Sequence, residues 1–203
     1  MKVYEDLLKR FPIVSDQIEK AELKAILREC ESTVAIEGDV VELGCYVGTT
    51  SLFLRRLLTA KNSDKQLYVY DSFAGLPPKA AEDTSPAGEQ FKTGELLATK
   101  QQLIKHFKQA GLPLPVIKKA WFNELRPADL PDRICFAFLD GDYYYSIQDS
   151  LRVVWPKLSK GATVVVDDYQ NEALPGARQA VDEWLLRHPA RLRVEASLAI
   201  ITI

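Results

Sequence analysis

The sequence predicts a doubly wound α/β domain, in which helices flank a mostly parallel β-sheet. Short apolar runs recur along the 203-residue chain, and most are continuous rather than alternating. Continuous runs of this kind are typical of strands that are buried on both faces. Segments with helical spacing separate several of the runs, and such alternation favours a parallel sheet with crossover helices. The chain length suits one domain of ordinary size.

The predicted strands fall into a parallel group and a final pair. The parallel group comprises residues 40–43, 67–70, 114–117, 134–139 and 162–166, of which 114–117 is the weakest run. The final pair, residues 191–195 and 198–203, is separated only by Ala196 and Ser197. Strands this close in sequence pair antiparallel, so the sheet is expected to end in a hairpin.

The predicted helices lie between these strands and before the first one. Helical spacing of apolar residues covers residues 51–58, 100–109, 146–154 and 177–187. Near the N-terminus, apolar residues also recur at helical spacing from Ser15, a candidate N-cap, to Ile26. The chain is therefore divided into an N-terminal helical arm, residues 1–37, and a domain, residues 38–203.

One long segment fits neither strand nor helix. Residues 72–94 contain Pro77, Pro78, Pro86 and Gly88. A loop of this length inside a compact domain is uncommon unless it is a lid or is disordered. We expect residues 72–94 to form a lid loop over the ligand side of the sheet.

Composition and charge exclude several function classes. Acidic and basic residues number 28 and 26, which gives a formal net charge of −2 and disfavours a nucleic-acid or anionic-membrane partner. No apolar run reaches the roughly 20 residues that span a bilayer, and the N-terminus lacks the apolar stretch of a secretory signal. The cysteines, Cys30, Cys45 and Cys135, are odd in number and contain no Cys-x-x-Cys pair, so a reducing cytoplasm is expected.

Acidic residues mark the ends of four predicted strands. They are Glu42, Asp71, Asp140, Asp142, Asp167 and Asp168. Ligands of open α/β sheets bind beyond the carboxyl ends of the strands. Any one of these residues could be a turn former or a helix cap. Together they would repel one another unless a cation or a hydroxyl-rich ligand were bound, so the set predicts a functional site.

A glycine-containing turn joins the first predicted strand to the first helix of the domain. Gly44 and Gly48 allow tight turning and close approach of a ligand. Their Gly-x-x-x-Gly spacing is neither the dinucleotide fingerprint nor a P-loop. Glu42 precedes the turn, and Asp71 ends the second strand, where an acid is well placed to bind ribose hydroxyls.

Glu42-x-Gly44-x-x-x-Gly48 followed by Asp71 resembles the cofactor site of class I S-adenosylmethionine-dependent methyltransferases. Four further motifs follow in order: Asp71-Ser72-Phe73-x-Gly75-Leu76-Pro77, Trp121-Phe122, Leu139-Asp140-Gly141-Asp142-x-Tyr144-x-Ser146 and Val166-Asp167-Asp168-Tyr169. As an ordered set over residues 38–185, they resemble the macrocin O-methyltransferase family. The resemblance implies a Rossmann-like methyltransferase fold with a mostly parallel seven-stranded sheet and a C-terminal antiparallel hairpin.

The resemblance also implies S-adenosylmethionine as the methyl donor and a divalent cation, usually Mg²⁺. The implied cofactor-binding residues are Glu42, Gly44, Tyr46, Gly48, Thr49, Thr50, Asp71, Ser72, Trp121 and Phe122. Of these, Glu42, Gly44 and the turn at 48–50 would hold the methionine end. Asp71 with Ser72 would hold the ribose, and Trp121 with Phe122 would lie beside the adenine. The implied metal ligands are Asp140, Asp167 and Asp168.

The expected activity is O-methylation of a small hydroxylated acceptor, such as the sugar or polyol part of a natural product. Mg²⁺ prefers oxygen ligands and would lower the pKa of an acceptor hydroxyl. Asp140 or Asp142 would then remove the proton as the catalytic base, and the sequence leaves open which of them does so. His106 and His188 are interpreted as solvated or helix-end side chains rather than bases.

Two other functions and the oligomeric state stay open. Asp140-Gly141-Asp142 also matches the Asp-x-Asp metal motif of nucleotide-sugar glycosyltransferases. A non-catalytic domain that binds S-adenosylmethionine is the other alternative. A homodimer is left open.

Overall fold

The computed structural model describes residues 2–89 and 91–203. Residues 1 and 90, which belong to the predicted arm and lid loop, lie outside this description. The strands are β1 (Asp39–Leu43), β2 (Leu67–Asp71), β3 (Val116–Lys119), β4 (Ile134–Leu139), β5 (Leu158–Val166), β6 (Arg191–Glu195) and β7 (Leu198–Thr202). The helices are α1 (Val3–Arg10), α2 (Lys20–Thr33), α3 (Thr49–Ala60), α4 (Lys100–Gln109), α5 (Tyr144–Val154) and α6 (Pro175–Arg187).

The strands form one seven-stranded sheet in the order β3-β2-β1-β4-β5-β7-β6. The first five strands along the chain pair in parallel, whereas β7 pairs antiparallel with both β5 and β6. The predicted α/β class, the parallel sheet and the C-terminal hairpin are therefore confirmed. Strand order reverses between β1 and β4, which is the switch point where ligands of open α/β sheets bind.

Helices cover both faces of the sheet and give the domain two main apolar cores. Side chains of α1, α2, α3 and α4 pack on one face, and those of α5 and α6 pack on the other. The N-terminal helices belong to the first core, because Tyr4, Leu7 and Leu8 are buried in it. No helix in residues 2–89 and 91–203 has the length and apolarity needed to cross a membrane.

Helix α2 begins later than the candidate N-cap at Ser15 predicts. It starts at Lys20, and the Glu22 carboxylate accepts a hydrogen bond from the Glu19 amide (2.7 Å), which is one half of a capping box. The Ser15 hydroxyl accepts a hydrogen bond from the Gln17 amide, and the Ser15 amide donates to Thr49 Oγ1. Ser15 therefore belongs to the connection that crosses the start of α3.

The predicted lid loop, residues 72–94, docks on the domain in this structure. It contains two short 3₁₀ helices, Ala81–Asp83 and Pro86–Gly88. The buried Asp83 carboxylate accepts hydrogen bonds from the amides of Tyr144 (2.7 Å) and Ala80 (3.0 Å). A Cβ at Gly176 would lie 1.9 Å from Asp83 Oδ1, so the start of α6 also lies against this carboxylate. Asp83 thus joins the segment to the first turns of α5 and α6.

Candidate active site

A cavity of about 540 Å³ opens at the carboxyl ends of the parallel strands. Most of the residues that the sequence singles out line it. These residues are Gly44, Tyr46, Asp71, Ser72, Trp121, Phe122, Asp140, Asp142, Asp167 and Asp168. A smaller cavity of about 30 Å³ adjoins it and is lined by Glu42, Thr49 and Thr50, together with Cys45, Tyr46 and Asp140, which line both cavities.

The turn between β1 and α3 has an unusual backbone. Three of its residues lie in the left-handed region: Gly44 (φ 90°), Tyr46 (φ 44°) and Gly48 (φ 85°). At Gly44 a side chain is also excluded by space, because a Cβ there would lie 1.8 Å from the carbonyl oxygen of Asp140. The loops that follow β1 and β4 therefore approach each other closely at the switch point.

Glu42 lies at the end of β1 and is almost fully buried, at 1% exposure. Its Oε2 accepts a hydrogen bond from the Ser51 hydroxyl, and its Oε1 has no partner among the described residues. Burial raises the pKa of Glu42 to about 8, although the Ser51 hydrogen bond opposes this. A cationic or hydrogen-bond-donating ligand group would satisfy the free oxygen.

Asp71 braces the turn from the end of β2. Its Oδ2 accepts a hydrogen bond from the Cys45 amide (2.8 Å), and its Oδ1 accepts one from the Phe73 amide (2.7 Å). The Ser72 hydroxyl accepts from the Ala74 amide (3.1 Å). The carboxylate is thereby held in one orientation at the cavity wall, where its remaining lone pairs are available to a ligand.

Trp121 and Phe122 form an aromatic wall after β3. Trp121 precedes the short 3₁₀ helix Phe122–Glu124, and its amide donates to Glu124 Oε2 (3.0 Å). Trp121 is 36% exposed, which is high for so large an apolar side chain next to a cavity. The Phe122 ring lies beside Gly141, where a Cβ would be 3.3 Å from its Cε2 atom. A planar ligand could bind against this wall.

An acidic cluster lies at the ends of β4 and β5. One carboxylate oxygen from each of Asp140, Asp142 and Asp168 lies within 4.8 Å of the others. Asp167, which the sequence groups with the metal ligands, is adjacent but is not one of these three. Its Oδ1 instead accepts a hydrogen bond from the amide of Asp168 (3.0 Å). Asn171 donates to Asp168 Oδ1 (2.8 Å) and so orients that carboxylate.

The cluster is electrostatically strained without a counter-charge. Burial, together with the neighbouring carboxylates, raises the pKa of Asp140, Asp142 and Asp167 well above the ordinary value. Burial also raises the pKa of Asp168, and the hydrogen bond from Asn171 opposes that rise. Three convergent carboxylate oxygens are the donor set that Mg²⁺ and similar hard cations bind, so these residues fit a divalent cation.

Several residues that received no role from the sequence complete the site. Leu76, Phe91, Leu96 and Leu174 give the cavity an apolar side. Asn171 follows Asp168 by three residues, and this short spacing could have indicated from the sequence that its amide contacts the Asp168 carboxylate. Asp83 gives no such signal, because its contact with Tyr144 spans 61 residues of sequence.

The sheet order, with its reversal at β1 and β4 and its antiparallel C-terminal strands, is that of a Rossmann-like methyltransferase fold. The cavity lies at the switch point of the sheet, where open α/β folds bind ligands. The sequence profile of the Macrocin-O-methyltransferase (TylF) family matches residues 16–196. The chain therefore belongs to the macrocin O-methyltransferase family.

Two curated relatives are similar over most of this chain. The 8-demethyl-8-(2,3-dimethoxy-alpha-L-rhamnosyl)-tetracenomycin-C 4'-O-methyltransferase of Streptomyces olivaceus is 32% identical over 80% of this chain and 64% of its own length. The mycinamicin III 3''-O-methyltransferase of Micromonospora griseorubida is 31% identical over 75% of this chain and 62% of its own length. The matched region thus spans a little under two thirds of either relative.

A solved structure agrees with the fold. The O-methyltransferase NovP superposes with a TM-score of 0.76 and 26% identity, covering 89% of this chain and 78% of NovP. The calicheamicin methyltransferase CalS11 has a TM-score of 0.71 at 18% identity, covering 98% of this chain and 89% of CalS11, and supports the fold alone.

Proposed function

We propose that the chain is an S-adenosylmethionine-dependent O-methyltransferase that acts on a hydroxyl group of a sugar or polyol moiety in a small natural product. The observation that carries this proposal is one cavity whose wall combines the glycine turn, Asp71 and the aromatic pair with the acidic cluster. A methyl donor and a hydroxylated acceptor could therefore meet in one cavity. Family membership and the names of the curated relatives support the same activity.

The cofactor part of the proposal assigns a chemical partner to each feature of the cavity wall. Glu42, which lines the smaller adjoining cavity, has a buried oxygen with no partner in residues 2–89 and 91–203 and suits the positively charged amino group of the methionine end. Asp71 suits the ribose hydroxyls, because carboxylates accept two hydrogen bonds from vicinal hydroxyls. The exposed faces of Trp121 and Phe122 suit the adenine ring.

The cation part of the proposal rests on the acidic cluster. Asp140, Asp142 and Asp168, with Asp167 beside them, would hold a divalent cation such as Mg²⁺. When bound, that cation would lower the pKa of an acceptor hydroxyl and orient it. Asp140 or Asp142 would accept the hydroxyl proton as general base.

Apolar residues in and just after the predicted lid loop would shield the reaction from water. Leu76 and Phe91 belong to the predicted lid loop, and Leu96 follows it closely. They would exclude water from the reacting groups and hold the acceptor in line with the sulfonium methyl group.

Titration calorimetry tests the cofactor assignment. S-adenosylhomocysteine should bind the wild-type chain, and Asp71→Ala should weaken binding by at least about tenfold, because it removes a charged hydrogen-bond acceptor. Asp64→Ala, at an exposed position, is the matched control and should bind as the wild type does. A wild-type chain that ignores S-adenosylhomocysteine and binds a nucleotide sugar would overturn the proposal in favour of a glycosyltransferase.

Methyl-transfer assays test the cation and the base. Transfer of labelled methyl to a panel of glycosides should stop with a chelator and return with Mg²⁺. A variant that loses a cation ligand should regain activity at higher Mg²⁺, whereas a variant that loses the base should not. Asp140→Asn and Asp142→Asn, compared in this way, separate the two roles. Binding of S-adenosylhomocysteine without any transfer to the panel would instead favour a non-catalytic binding domain.

A further inference from the structure

His106 contacts the turn between β1 and α3, residues 44–48, from outside the cavity; we call it the cofactor turn because the proposed function places the methionine end there. It lies on α4, is partly buried, and its Nδ1 is 2.8 Å from the carbonyl oxygen of Val47. A carbonyl oxygen only accepts hydrogen bonds, so the His106 ring donates through Nδ1–H. Val47 lies 59 residues away in sequence, between Tyr46 and Gly48. His106 thus lies in the last turn of α4, one of the two places that the sequence suggests, and in addition makes a contact with a distant turn.

The turn that His106 contacts needs support from its surroundings. Tyr46, at φ 44°, is a bulky residue in a backbone region that favours glycine. Such a conformation costs free energy and persists only where neighbouring groups hold it in place. Tyr46 lines both cavities, so a shift of this backbone would change the shape of the site.

Helix α4 supplies a second contact to the same turn. Leu103, one helical turn before His106, is fully buried, and a Cβ at Gly48 would lie 2.3 Å from its Cδ1 atom. Leu103 therefore packs directly against the backbone of Gly48, while His106 binds the adjacent carbonyl group of Val47. On the other side, the amide of Cys45 donates to Asp71. The turn is held between β2 and α4.

We propose that His106 is a positioning residue for the cofactor turn: through its hydrogen bond to Val47 it keeps the 44–48 backbone in the conformation that receives the methionine end of the cofactor. The inference rests on the proposed function. His106 lines neither of the two cavities described above, so it acts through the turn rather than on the ligand.

The test compares two substitutions of His106, one that removes the N–H donor to the Val47 carbonyl and one that keeps such a donor. His106→Ala removes the donor, whereas His106→Asn places an amide N–H at the same distance from Cβ as Nδ1–H. Calorimetry with S-adenosylhomocysteine should show binding about three- to tenfold weaker for His106→Ala, the effect of one lost hydrogen bond. His106→Asn should restore most of the affinity. Lys105→Ala, at an exposed position on the same helix, should bind as the wild type does.

Kinetics separate positioning from a general loss of stability. In His106→Ala the KM for S-adenosylmethionine should rise, while the KM for the acceptor should stay within about twofold of the wild-type value. Equal binding by His106→Ala and wild type, or equal weakness of His106→Ala and His106→Asn, would overturn the inference. A wild-type chain that does not bind S-adenosylhomocysteine would instead overturn the proposed function, and the inference would fall with it.

Discussion

Asp142 and Asp168 adopt the same left-handed backbone conformation, with φ of 60° and 59°, at the ends of two neighbouring parallel strands. Aspartate and asparagine tolerate this region better than most residues, because their short side chains form local hydrogen bonds. The carboxylates of both residues converge with that of Asp140. Local backbone strain and electrostatic repulsion therefore occur at the same place, as is common where a ligand binds.

The acidic cluster should lower stability at neutral pH when no cation is bound. The pKa of Asp142 is raised in the folded protein, mainly by burial and then by Asp168. Between the ordinary pKa of an unfolded Asp and this raised value, the folded protein binds more protons than the unfolded chain, so stability falls as pH rises. Asp142→Asn removes one charge, and asparagine suits the left-handed backbone. We expect its thermal midpoint at pH 7, with chelator present, to exceed that of the wild type by about 2 °C or more.

The same measurement at pH 5 provides a control for this prediction. The advantage of Asp142→Asn should shrink there, because more of the wild-type cluster is protonated. Asp64→Asn, which removes an exposed charge, should change the midpoint little at either pH. A lower midpoint for Asp142→Asn than for the wild type at pH 7 would contradict the electrostatic account.

Glu42 should make cofactor binding depend on pH. Its pKa of about 8 means that it is mostly protonated at pH 7 in the free protein, whereas a cationic amino group would favour the carboxylate. Affinity for S-adenosylhomocysteine should therefore increase from pH 6 to pH 8, by up to about tenfold per pH unit. Calorimetry between pH 6 and pH 8 measures how steeply this affinity changes with pH. Glu42→Gln should bind more weakly with a flatter slope, and a flat wild-type profile would show that Glu42 does not ionise on binding.

An ion-pair network should stabilise the contact between α2 and β6. Arg28 donates two hydrogen bonds to Glu195, at 2.8 and 2.6 Å, and Arg193 donates to Glu195 at 2.7 Å. The pKa of Glu195 falls to about 2, mainly because of the hydrogen bonds from Arg28. Since the Glu195 side chain is 40% exposed, solvent screening reduces the expected contribution to about 1 kcal/mol. Urea unfolding at pH 7 should show a free energy of unfolding that is lower by this amount in Glu195→Gln than in the wild type.

The pH dependence of that loss distinguishes an ion pair from simple packing. The pKa of Glu195 is lower in the folded protein than in the unfolded chain, where it is near 4.5. The ion pairs therefore stabilise the fold fully above pH 4.5, and this stabilisation is lost as pH falls toward 2. The difference between wild type and Glu195→Gln should therefore decrease below pH 4.5. Glu37→Gln breaks the exposed pair with Arg133, at 3.3 Å, and should cost less than about 0.5 kcal/mol. Equal losses in both variants would argue against the network.

Asp83 should hold the predicted lid loop on the domain. Asp83→Ala leaves the partly buried amide of Tyr144 without its acceptor, which should cost about 1 kcal/mol, the lower end of the range for a buried group. Limited proteolysis should then cleave within residues 72–94 faster than in the wild type, and the KM for an acceptor should rise. Thr84→Ala, at the exposed neighbouring position, should leave both measurements unchanged. Cleavage at the same rate in both variants would mean that Asp83 does not hold the segment.

The sequence predicts most of the fold because the parallel strands are continuous apolar runs. The strand predicted at 134–139 matches β4, and the helix predicted at 100–109 matches α4. Strand β5 begins earlier than predicted, at Leu158 rather than at 162. Lys160 and Gly161 interrupt the apolar pattern and lie where the pairing with β4 shifts register, between the pairs Leu158–Ile134 and Thr163–Phe136. The start of α2 is placed too early because Ser15 is a good capping residue that is used elsewhere.

The site is less predictable than the fold, for reasons that differ between residues. Strand-end position is a local property, so Asp71, Asp140 and Asp168 are found in the cavity as the motifs indicate. The convergence of Asp142 rather than Asp167 with the other two depends on backbone angles and on the Asp167 hydrogen bond to Asp168. The contacts of Asp83 and His106 depend on tertiary packing between distant segments, which no local pattern encodes.

A crystal structure with S-adenosylhomocysteine and Mg²⁺ tests the central claim most directly, namely that one cavity holds the methyl donor beside a cation-binding acidic cluster. We expect the ribose at Asp71, the sulfur atom facing the cluster, and a cation at roughly 2.1 Å from carboxylate oxygens of Asp140 and Asp168. The same map would show whether Asp142 or Asp167 provides the further ligand. S-adenosylhomocysteine bound outside the cavity, or a cluster without cation density at saturating Mg²⁺, would contradict the account.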